Sequence, residues 1–176
     1  IQFIETIKKI LRCVCIKCSK LKICKEKYKF VLGYEPKKRW DYVFKIAQKI
    51  KRCGEDHEFG CGCKQPKKIY KQDLASIFAE WEEGDGVIDN QGNNPSKPTI
   101  RLYPEDVLKI FKRISDEDVN FMGFSSVWSR PDWFICQVLA VPPPAVRPSV
   151  KHDAQQRSED DISHIIVNII KVTHLF

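Results

Sequence analysis

The cysteines of this 176-residue chain are the feature that most constrains its fold. Seven of the eight lie before residue 64, in the tight patterns C-x-C-x-x-C and C-x-C. Such short spacings do not suit ordinary disulfide bridges, and the first residues lack the layout of a secretory signal peptide. The pattern therefore predicts a metal site in a reducing compartment. The cysteines stand at positions 13, 15, 18, 24, 53, 61, 63 and 136.

Cys15 and Cys18 are the first half of a candidate zinc site, because two cysteines separated by two residues can face one ion across a tight turn. Structural zinc takes four thiolate or imidazole ligands in a tetrahedron, so further ligands must come from elsewhere. Cys53 and Cys61 follow Cys18 after 34 and 42 intervening residues. Four protein ligands leave no position for a reactive water, so the zinc would be structural.

Two alternatives to this ligand set stay open. Spacing alone also allows Cys13, Cys63 or His57 to replace one of the four ligands. A redox site built on Cys15 and Cys18 is the other alternative, although the βαβ pattern that accompanies thioredoxin-like C-x-x-C motifs is missing around them.

Charge is distributed unevenly along the chain. The composition, 43% hydrophobic and 30% charged, is typical of a globular protein, and no apolar run is long enough to predict a membrane span. Residues 1–72 carry 20 Lys or Arg against 7 Asp or Glu, whereas residues 73–176 carry 10 against 16. The basic half predicts sequence-independent attraction to nucleic-acid backbone, with a solvated basic face as the alternative.

Apolar periodicity and capping residues predict several helices. Gly54 should terminate the helix that begins at Pro36. Ser115 with Asp118 should begin another helix as a capping-box variant, and Asp161 should cap the last one. The predicted helices are Ile1–Arg12, Pro36–Arg52, Pro104–Ile114, one beginning after Ser115 and one beginning after Asp161.

An apolar run, Trp133–Val141, has the length and composition of a β-strand and stops at three consecutive prolines. The prolines predict a stiff extended segment that holds Arg147 on a rigid mount. Lys68–Glu82 fits either a helix or a strand, and Gly84–Pro98 is the best candidate loop.

Several separate motifs carry a family resemblance. Arg130–Val150, read RPDWFICQVLAVPPPAVRPSV, closely resembles the clamp core of the largest-subunit family of eukaryotic RNA polymerase II. The likeness continues, in the same order, through Leu11–Lys22 (LRCVCIKCSKLK), Gly60–Pro66 (GCGCKQP) and Pro104–Asp118 (PEDVLKIFKRISDED). It weakens between residues 24 and 51 and between residues 82 and 99.

The resemblance implies a ligand set and a fold. It places Cys15, Cys18, Cys53 and Cys61 at the zinc positions of the polymerase clamp, with Cys63 where relatives usually carry asparagine. It also favours a strand at residues 68–82.

The expected fold class is α+β, a small zinc-binding module plus a mixed helix and strand clamp core, within a larger multidomain subunit. The expected parts are residues 1–70 as the zinc-binding clamp head, 71–146 as the clamp core, 147–161 as a lid-like loop and 162–176 as the start of the next helix. Both ends of the sequence fall inside apolar helical patterns, so we expect a piece of a longer chain.

The lid-like loop carries the expected nucleic-acid contacts, in which Arg147, Lys151 and Arg157 approach phosphates. The resemblance implies as partners template DNA, nascent RNA, and the second-largest and other polymerase subunits, with no membrane. The resemblance also implies that the protein is located in the nucleus. A large DNA virus that encodes its own polymerase is an alternative source of the chain.

The resemblance also implies an enzyme, since the whole polymerase is a nucleotidyltransferase. Its catalytic magnesium ions need an acidic loop that these residues do not contain, so this chain should be inactive alone. The alternative is a stand-alone nucleic-acid-binding transcription regulator with a structural zinc. A part of a polymerase should expose a large apolar surface on its terminal helices, whereas a complete regulator should not.

Overall fold

The computed structural model describes residues 2–73, 76–82, 98–151 and 157–173, and it confirms a mixed α and β fold. The helices are α1 (Gln2–Cys13), α2 (Pro36–Ala47), α3 (Pro104–Lys112), α4 (Asp116–Met122) and α5 (Asp161–Thr173), with 3₁₀ helices at Lys29–Gly33 and Pro131–Phe134. The strands are β1 (Lys68–Gln72), β2 (Ser76–Glu80), β3 (Thr99–Leu102), β4 (Val150–Lys151) and β5 (Arg157–Ser158). No helix within the described ranges is long and apolar enough to cross a bilayer.

The chain divides into two compact units, Ile1–Ile135 and Cys136–Phe176. In the first unit β1, β2 and β3 form an antiparallel sheet in that order. In the second, β4 pairs with β5. The finer boundaries expected at residues 70, 146 and 161 stay predictions.

The core of the first unit is built from one face of each helix and one face of the sheet. Helix α1 buries residues three and four positions apart, as an amphipathic helix does, and strand β2 buries alternate residues. Buried apolar residues from both sides of position 70 belong to one cluster. They include Ile7, Ile10, Leu11, Val43, Ala47, Ile69, Ile77, Ala79, Leu102, Val107, Ile110 and Phe111.

Helix α2 ends at Ala47, so the predicted end at Arg52 is wrong. After Ala47 the backbone bonds tighten to carbonyls three residues back, from Lys49 to Ile46 at 3.0 Å and from Ile50 to Ala47 at 3.3 Å, and then leave the helix. The N–H groups of Lys51 and Arg52 donate to Glu55 Oε2, at 2.9 and 3.2 Å. Arg52 also forms a bridge with Lys64, which commits this stretch to a hairpin rather than to the helix.

The predicted strand Trp133–Val141 is also wrong. Pro131 begins the 3₁₀ helix, and residues 136–149 pair with no strand in the described part of the chain. Every residue from 136 to 141 is exposed, and Val138 is 86% exposed. Apolar composition does not distinguish a paired strand from an unpaired extended segment, because both put the backbone in the same conformation.

Other local predictions are confirmed or shifted by one residue. Within residues 68–82, β1 (Lys68–Gln72) and β2 (Ser76–Glu80) pair antiparallel, so the strand structure that the resemblance favoured is confirmed there. Ser115 caps α4, because its Oγ accepts from the N–H of Asp118 at 3.1 Å. For α5 the cap is Asp160 rather than Asp161, since Asp160 Oδ2 accepts from the N–H of Ile162 at 3.1 Å. Of the expected loop at 84–98, only Pro98 lies within the described residues.

Immediately after α1 the chain makes a tight turn centred on Ser19. The N–H of Ser19 donates to Cys15 O at 2.8 Å, and the N–H of Cys15 donates to Lys20 O at 2.9 Å. Ser19 has a φ of 62°, in the left-handed region that disfavours residues with a Cβ. Its Oγ is buried and has no hydrogen-bond partner among the described residues. This turn therefore stores strain in its backbone and in one unpaired hydroxyl.

We expect Ser19→Gly to raise the free energy of unfolding by about 1 kcal/mol, because glycine adopts the left-handed conformation freely. Ser19→Ala removes the hydroxyl but keeps the Cβ, so its free energy of unfolding should rise by less than that of the glycine variant. Urea denaturation of the two variants beside the parent chain measures both effects. A glycine variant less stable than the parent would contradict this account of the turn.

Candidate metal centre

Two short hairpins carry the cysteines expected to bind metal. In the first, Val14 pairs with Leu21, and Cys15 and Cys18 lie in the turn between them. In the second, Arg52 pairs with Lys64. Its turn is closed by two backbone hydrogen bonds, from the N–H of residue 53 to the carbonyl of residue 63 at 2.9 Å and from the N–H of residue 62 to the carbonyl of residue 53 at 3.0 Å.

The second hairpin depends on the close approach of two glycines. A Cβ placed on Gly60 would lie 2.2 Å from both the Cα and the N of Gly54. No side chain fits at that distance, so the backbone can fold back beside Cys61 only with glycine at this position.

The structure brings together the four predicted thiols. The Sγ atoms of Cys15, Cys18, Cys53 and Cys61 all lie within 4.8 Å of one another. Cys15 Sγ is 3.6 Å from Cys61 Sγ, and Cys18 Sγ is 3.7 Å from Cys53 Sγ. Within the described ranges, this is the one group of at least three cysteine, histidine or acidic side chains with such spacing.

These distances fit a tetrahedral metal site better than disulfides. A zinc–sulfur bond of about 2.3 Å in a regular tetrahedron sets neighbouring sulfurs about 3.8 Å apart. A disulfide needs its two sulfurs about 2.05 Å apart. The four thiols could therefore hold one metal ion between them.

The three alternative ligands lie outside the cluster. Cys13 is fully buried in the core of the first unit. Cys63 Sγ lies 3.4 Å from Lys64 O, and His57 Nε2 lies 3.2 Å from Leu21 O.

The thiols differ in how readily they ionise before an ion binds. Desolvation raises the pKa of Cys53 and of Cys18. Desolvation acts in the same direction on Cys61, but hydrogen bonds from the Cys63 backbone and from the other thiols outweigh it and lower its pKa to about 7. Of these three thiols, Cys61 is thus the one best able to meet an incoming cation as a thiolate.

Two polar side chains that we did not predict as part of the site hold the first hairpin in place. Gln65 Nε2 donates to Cys15 Sγ at 3.2 Å, and its Oε1 accepts from the N–H of Ile16 at 3.2 Å. Asp118 Oδ2 accepts from the N–H of Leu21 at 3.3 Å. The sequence carried only indirect signals that these two residues support the site. Gln65 lies in the motif GCGCKQP, and the position of Asp118 indicated only an acidic residue at the start of a helix.

Of the three residues expected to contact nucleic acid, the structure describes the side chain of Arg147 and the backbone of Lys151 and Arg157. The Nε of Arg147 donates to Pro142 O at 2.9 Å, and its Nη1 donates to Ser163 Oγ at 3.2 Å, so the guanidinium joins the proline segment to α5. Lys151 and Arg157 are backbone partners across β4 and β5. Residues 152–156, between them, lie outside the described residues.

A basic cavity lies beside the second hairpin. It has a volume of about 680 Å³, and its charged lining is five cations and one carboxylate. The carboxylate, Glu82, lies 3.8 Å from Lys51 and 3.4 Å from Lys67. The charged residues are Lys49, Lys51, Arg52, Lys64, Lys67 and Glu82.

Comparison with known proteins agrees with the resemblance found in the sequence. Residues 1–175 match the family model described as RNA polymerase Rpb1, domain 1. The chain is 38% identical to the DNA-directed RNA polymerase II subunit RPB1 of Euplotoides octocarinatus, over an alignment that covers 99% of this chain and 37% of that relative. The chain thus spans little more than a third of that relative's length. It belongs to the RNA polymerase Rpb1 domain 1 family.

Proposed function

We propose that this chain is the clamp region of the largest subunit of RNA polymerase II, which retains DNA and the RNA–DNA hybrid during transcription. The observation that carries the proposal is the convergence of four thiols in a chain whose residues 1–175 match the Rpb1 family. In this role the chain supplies structure and nucleic-acid contacts. The nucleotidyltransferase chemistry, with its catalytic magnesium, belongs to the rest of the enzyme.

The metal of the cluster is zinc in this proposal. Four thiolate donors in a tetrahedron suit zinc and exclude the hard cations magnesium and calcium, which prefer oxygen. When bound, zinc supplies a structural crosslink rather than a reaction. Cys15 and Cys18 anchor it from the first hairpin, and Cys53 and Cys61 anchor it from the second.

Two features of the chain support a role in holding nucleic acid. Residues 1–72 carry a large excess of cations, and the cavity beside the second hairpin concentrates five of them. Arg147, Lys151 and Arg157 add positive charge at the base of the lid-like segment. Backbone phosphates are attracted to such surfaces without regard to base sequence, as retention along any template requires.

The exposed apolar side chains of the second unit favour a polymerase part over a stand-alone regulator. None of the buried apolar side chains in the described ranges comes from residues 136–173. In α5 alone six large apolar residues are exposed: Ile162, Ile165, Val167, Ile169, Ile170 and Val172. Such a surface suits contact with the rest of the largest subunit, the second-largest subunit and other polymerase subunits. Assembly with them places the chain in the nucleus.

The zinc site is tested by two matched substitutions. We expect the purified chain to hold one zinc, and its removal by a chelator to free about four thiols. Cys61→Ser removes a ligand and should weaken zinc binding by more than the roughly 10–100-fold typical of lost outer-shell contacts.

The same change two residues away, Cys63→Ser, should leave zinc binding unchanged, because Cys63 lies outside the cluster. Zinc content by mass spectrometry and thiol titration measure both variants. A metal-free protein with a reversible disulfide between Cys15 and Cys18 would overturn the site.

Nucleic-acid retention is tested at the lid-like segment. We expect the double variant Lys151→Gln and Arg157→Gln to bind an RNA–DNA hybrid more weakly. It should also flatten the slope of log affinity against log salt by about 1–2, one for each lost phosphate contact. Fluorescence anisotropy across a salt series measures both quantities.

The control is the double variant Lys109→Gln and Lys112→Gln on α3, which removes the same net charge elsewhere. An equal loss of affinity in both double variants would mean that only overall charge attracts the hybrid. That result would rule out specific contacts at residues 151 and 157.

A further inference from the structure

Lys22 is a buried cation with no carboxylate partner among the described residues. It is 4% exposed and is the one Lys or Arg among the buried residues of the described ranges. Its backbone N–H donates to Cys13 O at 3.0 Å, and its Nζ donates to Ile50 O at 3.4 Å. No salt bridge joins it to an acidic side chain in the described part of the chain. Burying an ammonium group costs free energy unless an opposite charge lies close by.

The opposite charge available at this position is that of the thiol cluster. Lys22 follows Cys18 by four residues, and the carbonyl that its Nζ contacts lies three residues before Cys53. Desolvation lowers the pKa of Lys22 to about 8, and electrostatic interaction with the thiols of Cys13, Cys15 and Cys53 opposes that fall. The backbone of Lys22 continues the first hairpin, and its Nζ contacts the carbonyl of Ile50, two residues before the second hairpin begins at Arg52, so the ammonium group lies between the segments that carry the two cysteine pairs.

With a metal ion bound, the thiolate cluster would carry a negative charge, opposite to the charge of the Lys22 ammonium group. Four thiolates around one divalent ion have a net charge of −2, and two of the four cysteines, Cys15 and Cys53, are buried. Gln65 donates one hydrogen bond to Cys15 Sγ but brings no formal charge. Lys20, two residues from Lys22, is exposed, and its Nζ donates to Phe59 O at 3.0 Å.

We propose that Lys22 is the buried counter-charge of the metal–thiolate cluster, so that it strengthens binding of the divalent ion without touching it. This inference rests on the proposed zinc site. It gives Lys22 a role that depends on the ion: in the loaded chain its charge stabilises the cluster, and in the metal-free chain the same buried charge is a cost.

The test compares Lys22→Met, which keeps the length of the side chain and removes its charge, with Lys20→Met as the exposed control. The zinc dissociation constant of the full chain is measured by competition with a chromophoric chelator. We expect Lys22→Met to weaken zinc binding by about 10–100-fold, the range of outer-shell contacts. The zinc dissociation constant of Lys20→Met should stay within about threefold of the parent value, because Lys20 is a solvated charge.

A second measurement separates a counter-charge from a merely structural lysine. Urea midpoints of each variant are taken with and without zinc. We expect Lys22→Met to lower the midpoint of the loaded chain and to raise that of the metal-free chain. A structural role would lower both. Should Lys22→Met fail to fold, Lys22→Arg keeps the charge and should retain tight zinc binding, whereas Lys22→Gln should lose it.

The outcomes distinguish this inference from the zinc site itself. A parent chain that binds no zinc overturns both. A parent that binds zinc, with Lys22→Met binding it equally well, overturns the role of Lys22 alone. If Lys22→Met lowers the urea midpoints of the zinc-loaded and the metal-free chain equally, the counter-charge role of Lys22 is overturned, whereas the zinc site is not.

Discussion

The convergence of four sulfur atoms is the constraint on which the first unit depends. Cys15 and Cys18 reach the cluster from a turn that follows α1, and Cys53 and Cys61 reach it from a hairpin that follows α2. Helix α2 carries the chain away from the first hairpin, and residues 48–52 return it to the second. A shared ion would tie these two local structures together and add a crosslink to the apolar core, to which Val14 and Leu21 of the first hairpin belong.

The cluster in turn depends on polar contacts that reach it from more distant elements. Asp118 on α4 accepts from the backbone of Leu21, and its Oδ1 lies 3.0 Å from Lys25 Nζ. Gln65 connects the end of the second hairpin to Cys15. These bonds fix the orientation of the first hairpin with respect to the core, so that the thiols meet with little rearrangement. Such preorganisation strengthens metal binding, because less conformational entropy is lost when the ion arrives.

Local chemistry made part of this structure predictable. Cysteine spacing and family likeness together led to the four thiols that converge, and apolar periodicity located α1 and α3, because those signals act over a few residues. The end of α2 was missed because it depends on Glu55, which captures the N–H groups of residues 51 and 52. Lys22 gave no signal and Gln65 only an indirect one for a similar reason, since a lysine or glutamine is ordinarily exposed and only tertiary packing buries it.

The distribution of apolar residues on α5 determines how much of this helix must be covered. At 3.6 residues per turn, its apolar positions from Ile162 to Val172 span an arc of roughly 220°, more than half of the circumference. The polar side chains His164, Asn168 and Lys171 occupy the remainder. A surface helix needs an apolar stripe only a little over 100° wide, so an arc of this width calls for protein on more than one side. The second unit therefore has the kind of surface that the proposed place within a multisubunit polymerase would cover.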